Sequence, residues 1–174
     1  MTTLEERARS IRLVCTDIDG VLTNGELHYD GSESHAKSFS VRDGAAIKWL
    51  QRAGIPVAFI SGLDSPATWA RAKHLGVVDC HAGHLAKGPV LVELCAKYGL
   101  EPAQVAHLGD DLPDLPLLRR VGLACCPRDA VPEVQAACHW TVPVEGGRGV
   151  LRAVAEIILK AQGRWDEVVA AYRD

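Results

Sequence analysis

Residues 11–21 read Ile-Arg-Leu-Val-Cys-Thr-Asp-Ile-Asp-Gly-Val, a mainly apolar run that leads into two aspartates. Polar and apolar residues do not alternate in the run from Ile11 to Cys15, which predicts a strand buried on both faces of a sheet. Asp17 and Asp19 follow this strand directly. Carboxylates at positions i and i+2 of a strand end point the same way and repel each other unless a cation lies between them. The stretch therefore predicts a buried strand with a charged site at its end.

Apolar strands and amphipathic helices alternate along the rest of the chain. Strands are predicted at Pro56–Ile60, Val77–Val78, Val105–Leu108, Gly122–Cys125 and Trp140–Val142. Helices are predicted in the polar segment before Ile11 and at Ala45–Leu50, Pro66–His74, Lys87–Lys97, Leu115–Val121, Ala130–Ala137 and Val150–Ala161. Buried strands that are each followed by a helix indicate a doubly wound parallel α/β sheet. Such sheets bind ligands at the carboxyl ends of their strands.

Residues 24–41 break this alternation. Glu26–Tyr29 and Ala36–Val41 have the pattern of extended segments, and Asp30-Gly31-Ser32 has the composition of a turn. The pattern predicts a β-hairpin inserted after the first strand of a single domain that spans residues 1–174. A lone two-stranded hairpin is marginally stable in water, so we expect it to pack on something else, such as another subunit.

The composition is that of a soluble globular protein, with 48% hydrophobic and 24% charged residues among 174. A net charge of −3 gives no electrostatic basis for binding nucleic acid. The charged N-terminus has no apolar signal-peptide core, and no apolar run is long enough to cross a bilayer. Four of the six cysteines lie in apolar runs, which is typical of buried thiols in a reducing compartment: Cys15, Cys95, Cys125 and Cys126. We therefore expect a cytoplasmic protein.

Polar side chains follow three of the predicted strands. Besides the two aspartates after the first strand, Ser61 ends the second, and Gly109-Asp110-Asp111 follows the strand at 105–108, with Asp114 one helical turn further. Taken singly, Ser61 or Asp111 is more often a helix cap. Together, however, the acids at one sheet edge form an all-oxygen set suited to Mg²⁺.

Lys87 adds a positive charge to this set. It begins a predicted helix, a position where a cation neither interacts favourably with the helix dipole nor caps the helix. A lysine taken alone is usually a solvated surface residue. Beside three acids and a metal, a phosphoryl group needs a positive charge for its remaining oxygens. The set thus predicts a site for phosphoryl transfer.

These motifs resemble those of the haloacid dehalogenase superfamily of phosphohydrolases, and they occur in the same order. The matching motifs are D-x-D-G-V-x-T from Asp17 to Thr23, Ser61, Lys87, and G-D-D-x-x-D from Gly109 to Asp114. The resemblance implies that Asp17 is the nucleophile that forms an aspartyl-phosphate. It implies that Asp19 protonates the leaving alkoxide and then activates water.

The resemblance also implies a magnesium ion as cofactor. Its ligands would be Asp17, Asp19 through the backbone carbonyl, and Asp110, supported directly or through water by Asp111 and Asp114. The implied phosphate clamp consists of Ser61, Gly62 and Lys87.

The short insertions imply an uncapped member of the superfamily. Many relatives carry a cap domain after the first strand or between the second and third strands. Here the hairpin alone fills the first position, and the segment between Ser61 and Lys87 has room for one helix and one strand. An open site of this kind must be covered by a macromolecular substrate or by a neighbouring subunit.

Further runs resemble the subfamily that hydrolyses 3-deoxy-D-manno-octulosonate 8-phosphate. They are FSVRDG at 39–44, GDDLPDLP at 109–116, VGLA at 121–124, GGRGVLRAV at 146–154 and IILKAQGRW at 157–165. The resemblance implies a homotetramer in which hairpins meet centrally and each subunit helps to close its neighbour's site. It also implies a step in lipopolysaccharide biosynthesis. Similar enzymes act on 9-phosphates of nine-carbon keto-deoxy sugar acids, and this alternative stays open.

Leu63 departs from the subfamily pattern. The octulosonate enzymes usually have arginine there and the nine-carbon enzymes glutamate. An arginine could hold a sugar-acid carboxylate through a bidentate pair, which leucine cannot. Candidates for binding the anionic part of the substrate are therefore Arg71, which matches a basic position of the subfamily, together with Arg42 and Arg148.

Two functions from other classes are alternatives. A receiver-type signalling module also gathers aspartates, a hydroxyl residue and a lysine around Mg²⁺, but there an early acidic pair precedes a separate phosphoacceptor. Here the candidate nucleophile Asp17 lies on the first strand, beside an acid placed to drive hydrolysis. A non-catalytic oligomerisation domain would have lost an essential acid, and none is missing here.

Overall fold

A six-stranded sheet forms the centre of the protein in a computed structural model that describes residues 2–29, 31 and 35–173. Its strands are β1 (Leu13–Thr16), β4 (Val57–Ser61), β5 (Asp79–Ala82), β6 (Val105–Leu108), β7 (Leu123–Pro127) and β8 (Trp140–Val142). They lie in the order β5-β4-β1-β6-β7-β8, and all neighbouring pairs are parallel. The first strand is thus central, with β4 and β6 on either side, as the doubly wound prediction requires.

Helices cover both faces of this sheet. They are α1 (Leu4–Ser10), α2 (Val41–Arg52), α3 (Pro66–Leu75), α4 (Lys87–Tyr98), α5 (Leu115–Leu118), α6 (Pro132–Ala137), α7 (Val150–Ala161) and α8 (Trp165–Ala170), with short 3₁₀ turns at Pro102–Gln104 and Leu112–Asp114. Successive β1 residues point to opposite faces: Val14 packs in the core under α1, α2, α3 and α7, whereas Leu13 and Cys15 pack under α4, α5 and α6. The predicted parallel α/β fold with both faces covered is confirmed.

Several predicted element boundaries agree with the structure, and others need correction. Val105–Leu108, Trp140–Val142 and Val150–Ala161 have the predicted ends. The strand predicted at Val77–Val78 is wrong, because this pair follows the left-handed Gly76 cap of α3 with Val78 exposed, and β5 begins at Asp79. That strand lies at the sheet edge and carries polar residues, so an apolar pattern did not mark it.

The helix boundaries show further differences: α2 begins at Val41 rather than Ala45, and α6 begins at Pro132 rather than Ala130. The helix predicted at Leu115–Val121 ends at Leu118, and a 3₁₀ turn that contains Pro113 precedes it. Helix α8 was not predicted.

The hairpin insertion contains two short antiparallel strands, β2 (His28–Tyr29) and β3 (His35–Ala36). Asp30 and Ser32 of the predicted turn lie outside the described residues. The extended segment predicted to reach Val41 is too long, because Ser40 caps α2 by accepting a hydrogen bond from the backbone N–H of Arg42 at 3.2 Å. The hairpin forms a sheet separate from the central one.

The structure also shows the state of the cysteines and the extent of the helices. All six cysteines are present as thiols, and the four that lie in apolar runs are buried. Within the described ranges, each helix is too short or too polar to cross a bilayer.

Candidate active site

The carboxyl ends of β1, β4 and β6 bring the predicted residues to one sheet edge. Thr16 at the end of β1 lies beside Phe59 of β4 and Leu108 of β6. The ladder extends one residue further, because the backbone N–H of Asp17 donates to the carbonyl of Leu108 at 2.9 Å. Ser61 and the loop that starts at Gly109 therefore emerge beside Asp17.

Three carboxylates converge at this edge. One carboxylate oxygen from each of Asp17, Asp110 and Asp114 lies within 4.8 Å of the others. Among the described residues, buried Oδ1 of Asp110 has no hydrogen-bond partner. A buried acceptor without a partner is costly unless a cation or donor meets it. A hard set of carboxylate oxygens with one unpartnered atom fits Mg²⁺.

The electrostatics of this cluster agree with a site built for a cation. Burial, followed by repulsion from Asp114, raises the pKa of Asp17 to about 7 despite the nearby Lys87. Burial and repulsion from Asp17 and Asp114 raise the pKa of Asp110 to about 8. A divalent cation among these oxygens favours their charged forms and reverses both shifts.

Lys87 is buried at the bottom of the site, with 2% of its surface exposed. Its Nζ lies 3.0 Å from Oδ1 of Asp17 and 2.8 Å from Oδ1 of Asp114. Burial alone would lower the pKa of Lys87, but the two carboxylates outweigh burial and raise it. Lys87 is therefore a fixed cation beside the candidate nucleophile.

His107 supports this arrangement and was missed by the sequence analysis. It is fully buried on β6, and its Nε2 lies 2.8 Å from Oδ1 of Asp114. Burial lowers the pKa of His107, so the neutral ring donates through Nε2 to the carboxylate. Burial would raise the pKa of Asp114, but His107 and Lys87 outweigh that effect and lower it. A histidine inside an apolar strand was the available signal.

The Asp19 side chain does not join the three-carboxylate cluster. Its Oδ1 lies 2.7 Å from Nζ of Lys37, and its Oδ2 accepts a hydrogen bond from the same ammonium at 2.8 Å. Oδ2 also lies 3.5 Å from Oγ of Ser61. The carboxyl group thus lies beside the hydroxyl of Ser61, whose role in binding phosphate stays a prediction, and is paired with a lysine that the sequence analysis did not single out. Metal binding by Asp19 through its backbone carbonyl stays a prediction.

Ser61, the last residue of β4, and Gly62 in the loop after it are the other residues of the predicted phosphate clamp. The backbone N–H of Leu63 donates to Oγ of Ser61 at 3.2 Å, and that hydroxyl donates to the Leu63 carbonyl at 3.1 Å. Gly62 and Leu63 line a cleft of about 470 Å³ that also contains the acids and Lys87. The rim of the cleft is apolar, formed by Leu27, Leu63, Leu85 and Pro113.

Among the other predicted site residues, Asp111 lines this cleft, whereas the three arginines do not. Exposed Asp111 caps the following 3₁₀ turn, with Oδ1 accepting from the N–H of Leu112 at 2.7 Å. Arg42 and Arg148 are exposed and line a neighbouring groove of about 650 Å³. Arg71 donates to the Ser40 carbonyl at 2.9 Å and is absent from the lining of both cavities. A role for these arginines in substrate binding stays a prediction.

Glycines allow the loops around the acids to approach closely. Gly20 has a φ of +86°, and a Cβ there would lie 2.0 Å from Oδ2 of Asp110. A Cβ at Gly146 would lie 2.0 Å from the Gly20 carbonyl oxygen, and Gly147 donates its N–H to Val21 at 2.9 Å. The Gly-Gly run at 146–147 therefore supports the loop that carries the two N-terminal aspartates.

Comparison with known proteins agrees with this geometry. The family model described as haloacid dehalogenase-like hydrolase matches residues 36–122. The 3-deoxy-D-manno-octulosonate 8-phosphate phosphatase of Haemophilus influenzae is 39% identical over 161 residues, covering 92% of this chain and 89% of the relative.

Solved structures are similar over almost the whole chain. A probable phosphatase from Pseudomonas syringae has a TM-score of 0.95 and 40% identity, covering 98% of this chain and 97% of that one. The 3-deoxy-D-manno-octulosonate 8-phosphate phosphatase of Moraxella catarrhalis, solved with magnesium, phosphate and the sugar acid, has a TM-score of 0.95 and 34% identity, covering 98% of each chain.

Proposed function

Because the chain belongs to the haloacid dehalogenase-like hydrolase family, we propose that it is a magnesium-dependent phosphatase acting on 3-deoxy-D-manno-octulosonate 8-phosphate. The observation that carries the proposal is the buried contact of Lys87 with Asp17 and Asp114 beside the unpartnered carboxylate oxygen of Asp110. This arrangement combines a nucleophile, a metal site and a fixed positive charge, which are the requirements of phosphoryl transfer.

The reaction proceeds in two steps. An oxygen of Asp17 attacks phosphorus, the bond from phosphorus to the sugar oxygen breaks, and the carboxylic proton of Asp19 passes to that oxygen to form the alcohol. Asp19 then takes a proton from water, whose oxygen attacks the aspartyl-phosphate. The bond from phosphorus to Asp17 breaks, which releases inorganic phosphate and restores the carboxylate.

The surrounding residues neutralise and orient the phosphoryl group. Lys87 and the Ser61 hydroxyl bind its oxygens. Gly62 has no side chain, which leaves room for the phosphoryl oxygens beside the backbone. Asp17 and Asp110 would hold the metal together with the Asp19 carbonyl, and Asp111 and Asp114 would support it directly or through water. Mg²⁺ at these oxygens supplies positive charge where the phosphoryl group and the nucleophile would otherwise repel.

The substrate assignment is supported by the relatives, two of which are named for this activity. Within one chain the described cleft offers Lys87 as its cation, and this residue is committed to the acids and the phosphoryl group. A carboxylate on the substrate therefore needs a positive charge from elsewhere. Arg42 and Arg148 of a neighbouring subunit supply it in a homotetramer, and Arg71 supports the segment that carries Arg42.

The proposal extends to the setting of the enzyme. Residues 1–174 act as one domain whose hairpin insertion, from residue 24 to the Ser40 cap of α2, meets other hairpins in the tetramer. The enzyme works in the cytoplasm on the route to lipopolysaccharide, which accords with its reduced, buried cysteines.

Phosphate release from a panel of phosphomonoesters tests the substrate. The panel contains 3-deoxy-D-manno-octulosonate 8-phosphate, a 9-phosphate of a nine-carbon keto-deoxy sugar acid, and simple sugar phosphates, each with Mg²⁺ or with EDTA. We expect the highest kcat/KM for the eight-carbon substrate and no turnover in EDTA. A clearly higher kcat/KM for the nine-carbon ester would mean that this ester, not the eight-carbon one, is the substrate. A clearly higher kcat/KM for simple sugar phosphates would reject keto-deoxy sugar acids as the substrate class.

Two substitutions test the assigned chemistry. Asp17→Asn should abolish turnover, because an amide is a poor nucleophile and a poor metal ligand. Asp19→Asn should slow turnover by about 10²- to 10⁴-fold, the usual effect of losing an acid/base group. A long-lived phosphoprotein in the unaltered chain, without turnover, would instead favour a receiver-type switch.

A further inference from the structure

Lys37 is a buried cation at the edge of the active site. It directly follows β3 in the hairpin insertion, and none of its side chain is exposed. Its Nζ contacts both Asp19 oxygens, at 2.7 and 2.8 Å, and donates a longer hydrogen bond to Oγ1 of Thr68 at 3.3 Å. Thr68 is itself fully buried on α3. The ammonium group is therefore held between the catalytic loop and α3.

The burial of Lys37 requires this partner. Moving an ammonium group out of water is costly unless an opposite charge meets it, so the lysine is stable in this position because Asp19 faces it. The reverse also holds, because Asp19 keeps 27% of its side chain exposed and would otherwise have access to other rotamers. Each side chain restricts the orientation of the other.

The pairing directs Asp19 toward the phosphate clamp. The same oxygen that accepts the hydrogen bond from Lys37 lies 3.5 Å from Oγ of Ser61. The Asp19 carboxyl group thus lies between the Lys37 ammonium group of the hairpin and the Ser61 hydroxyl of the proposed phosphate site. A carboxyl group that transfers a proton to a leaving oxygen must be held in such a fixed orientation, because small displacements cost large factors in rate.

We propose that Lys37 is a positioning residue that orients the Asp19 carboxyl group for proton transfer and thereby links the hairpin to catalysis. The inference rests on the proposed phosphatase function. It assigns the hairpin a second role besides contact with other subunits. The first strand supplies Asp19, and the hairpin that follows returns to hold it.

The leaving group distinguishes this role from a merely structural one. An alkyl phosphate releases a basic alkoxide and needs the proton from Asp19, whereas p-nitrophenyl phosphate releases a stable phenolate without it. Both substrates need Asp19 to activate water in the second step. Loss of the Asp19 orientation should therefore slow alkyl phosphates in the first step and p-nitrophenyl phosphate in the second.

The test compares Lys37→Met, Lys37→Arg and Thr68→Val with the parent enzyme in Mg²⁺. Methionine retains much of the length but removes the charge, arginine retains the charge, and valine removes the hydrogen bond to Thr68 without touching the contact to Asp19. We expect Lys37→Met to lower kcat for an alkyl phosphate by about 10- to 100-fold, part of the full acid/base effect. With p-nitrophenyl phosphate it should show a burst of one equivalent of phenolate followed by slow turnover.

The controls separate the possible outcomes. Lys37→Arg should recover part of kcat, and Thr68→Val should change it less than about threefold. In an Asp19→Asn background, Lys37→Met should add little, because two residues that act through one group are not additive. Unchanged kcat in Lys37→Met, or an equal loss on both substrates with raised KM and no burst, would overturn the proposal. Absence of turnover in the parent enzyme would instead reject the phosphatase function itself.

Discussion

Asp17 and Asp110 are destabilised as ions when no cation is bound. Burial raises their pKa values to about 7 and about 8, from an ordinary value of 3.8, with repulsion from Asp114 acting on both and repulsion from Asp17 acting on Asp110. A group whose pKa is higher in the folded state stabilises the fold fully below its unfolded pKa. This contribution is lost as the pH rises through the folded value. The metal site therefore makes stability depend on both pH and Mg²⁺.

The first prediction follows for the metal-free protein. In EDTA, the free energy of unfolding should fall as the pH rises from about 4 to about 8, and Asp110→Asn should reduce this fall because it removes one of the interacting acids. Urea unfolding followed by circular dichroism at several pH values measures the effect. Glu93→Gln is the matched control, since it removes an exposed charge on α4. An identical pH dependence in Asp110→Asn and the parent would contradict the prediction.

The loops between elements carry as much of the site as the strands do. Gly20 lies against Asp110, and Gly146 lies against the Gly20 carbonyl, so two loops distant in sequence fix the position of one acid. A methyl group at Gly20 would meet Oδ2 of Asp110 at 2.0 Å. The acid would have to move, because a backbone-linked Cβ cannot.

A substitution at Gly20 should therefore act on the metal. We expect Gly20→Ala to raise the Mg²⁺ concentration for half-maximal activity by about 10- to 100-fold, the usual effect of disturbing groups that orient metal ligands. The control is Gly54→Ala, where φ is +70° and no atom lies within 4 Å of the added Cβ. That variant has comparable backbone strain, about 1–2 kcal/mol, but should leave the Mg²⁺ requirement unchanged. Equal Mg²⁺ requirements in the two variants would contradict the prediction.

The sequence predicts those parts of the fold that depend on local patterns. Strand β6 and helix α7 have the predicted ends because continuous apolar runs and helical spacing are local properties. The edge strand β5 was misplaced because its residues are polar. The start of α2 depends on the Ser40 cap, which competes with the apolar pattern.

The candidate site shows the same division. Three strand ends place the acids and Ser61 at one edge, and the topology rule suffices to foresee this. The contacts of Lys37 with Asp19 and of His107 with Asp114 join residues whose pairing depends on tertiary packing. Lys37 in the hairpin looks like any polar residue until folding buries it. Such pairs cannot be identified from one sequence.

At the scale of the whole molecule, the hairpin is the part of the fold that does not belong to the central sheet. Its two-residue strands form a separate sheet, and Tyr29 is 70% exposed at the end of β2. An exposed aromatic residue on a marginal hairpin favours contact with another subunit.

Light scattering at micromolar concentration tests this assembly. We expect a mass four times that of one chain, and a lower mass for Tyr29→Lys, which places a charge on the hairpin surface. Val92→Lys is the control, because Val92 is also exposed, at 53%, but lies on α4. A monomer in the parent protein would contradict the tetramer.

The central claim is that Asp17 carries the phosphoryl group during turnover. Acid quenching under steady-state turnover with Mg²⁺, borohydride reduction and mass spectrometry of the peptides test it directly, because reduction converts an aspartyl-phosphate to homoserine. The account predicts homoserine at position 17, none in EDTA and none in Asp17→Asn. Homoserine at Asp110 or Asp111 instead, or undiminished turnover in Asp17→Asn, would contradict it.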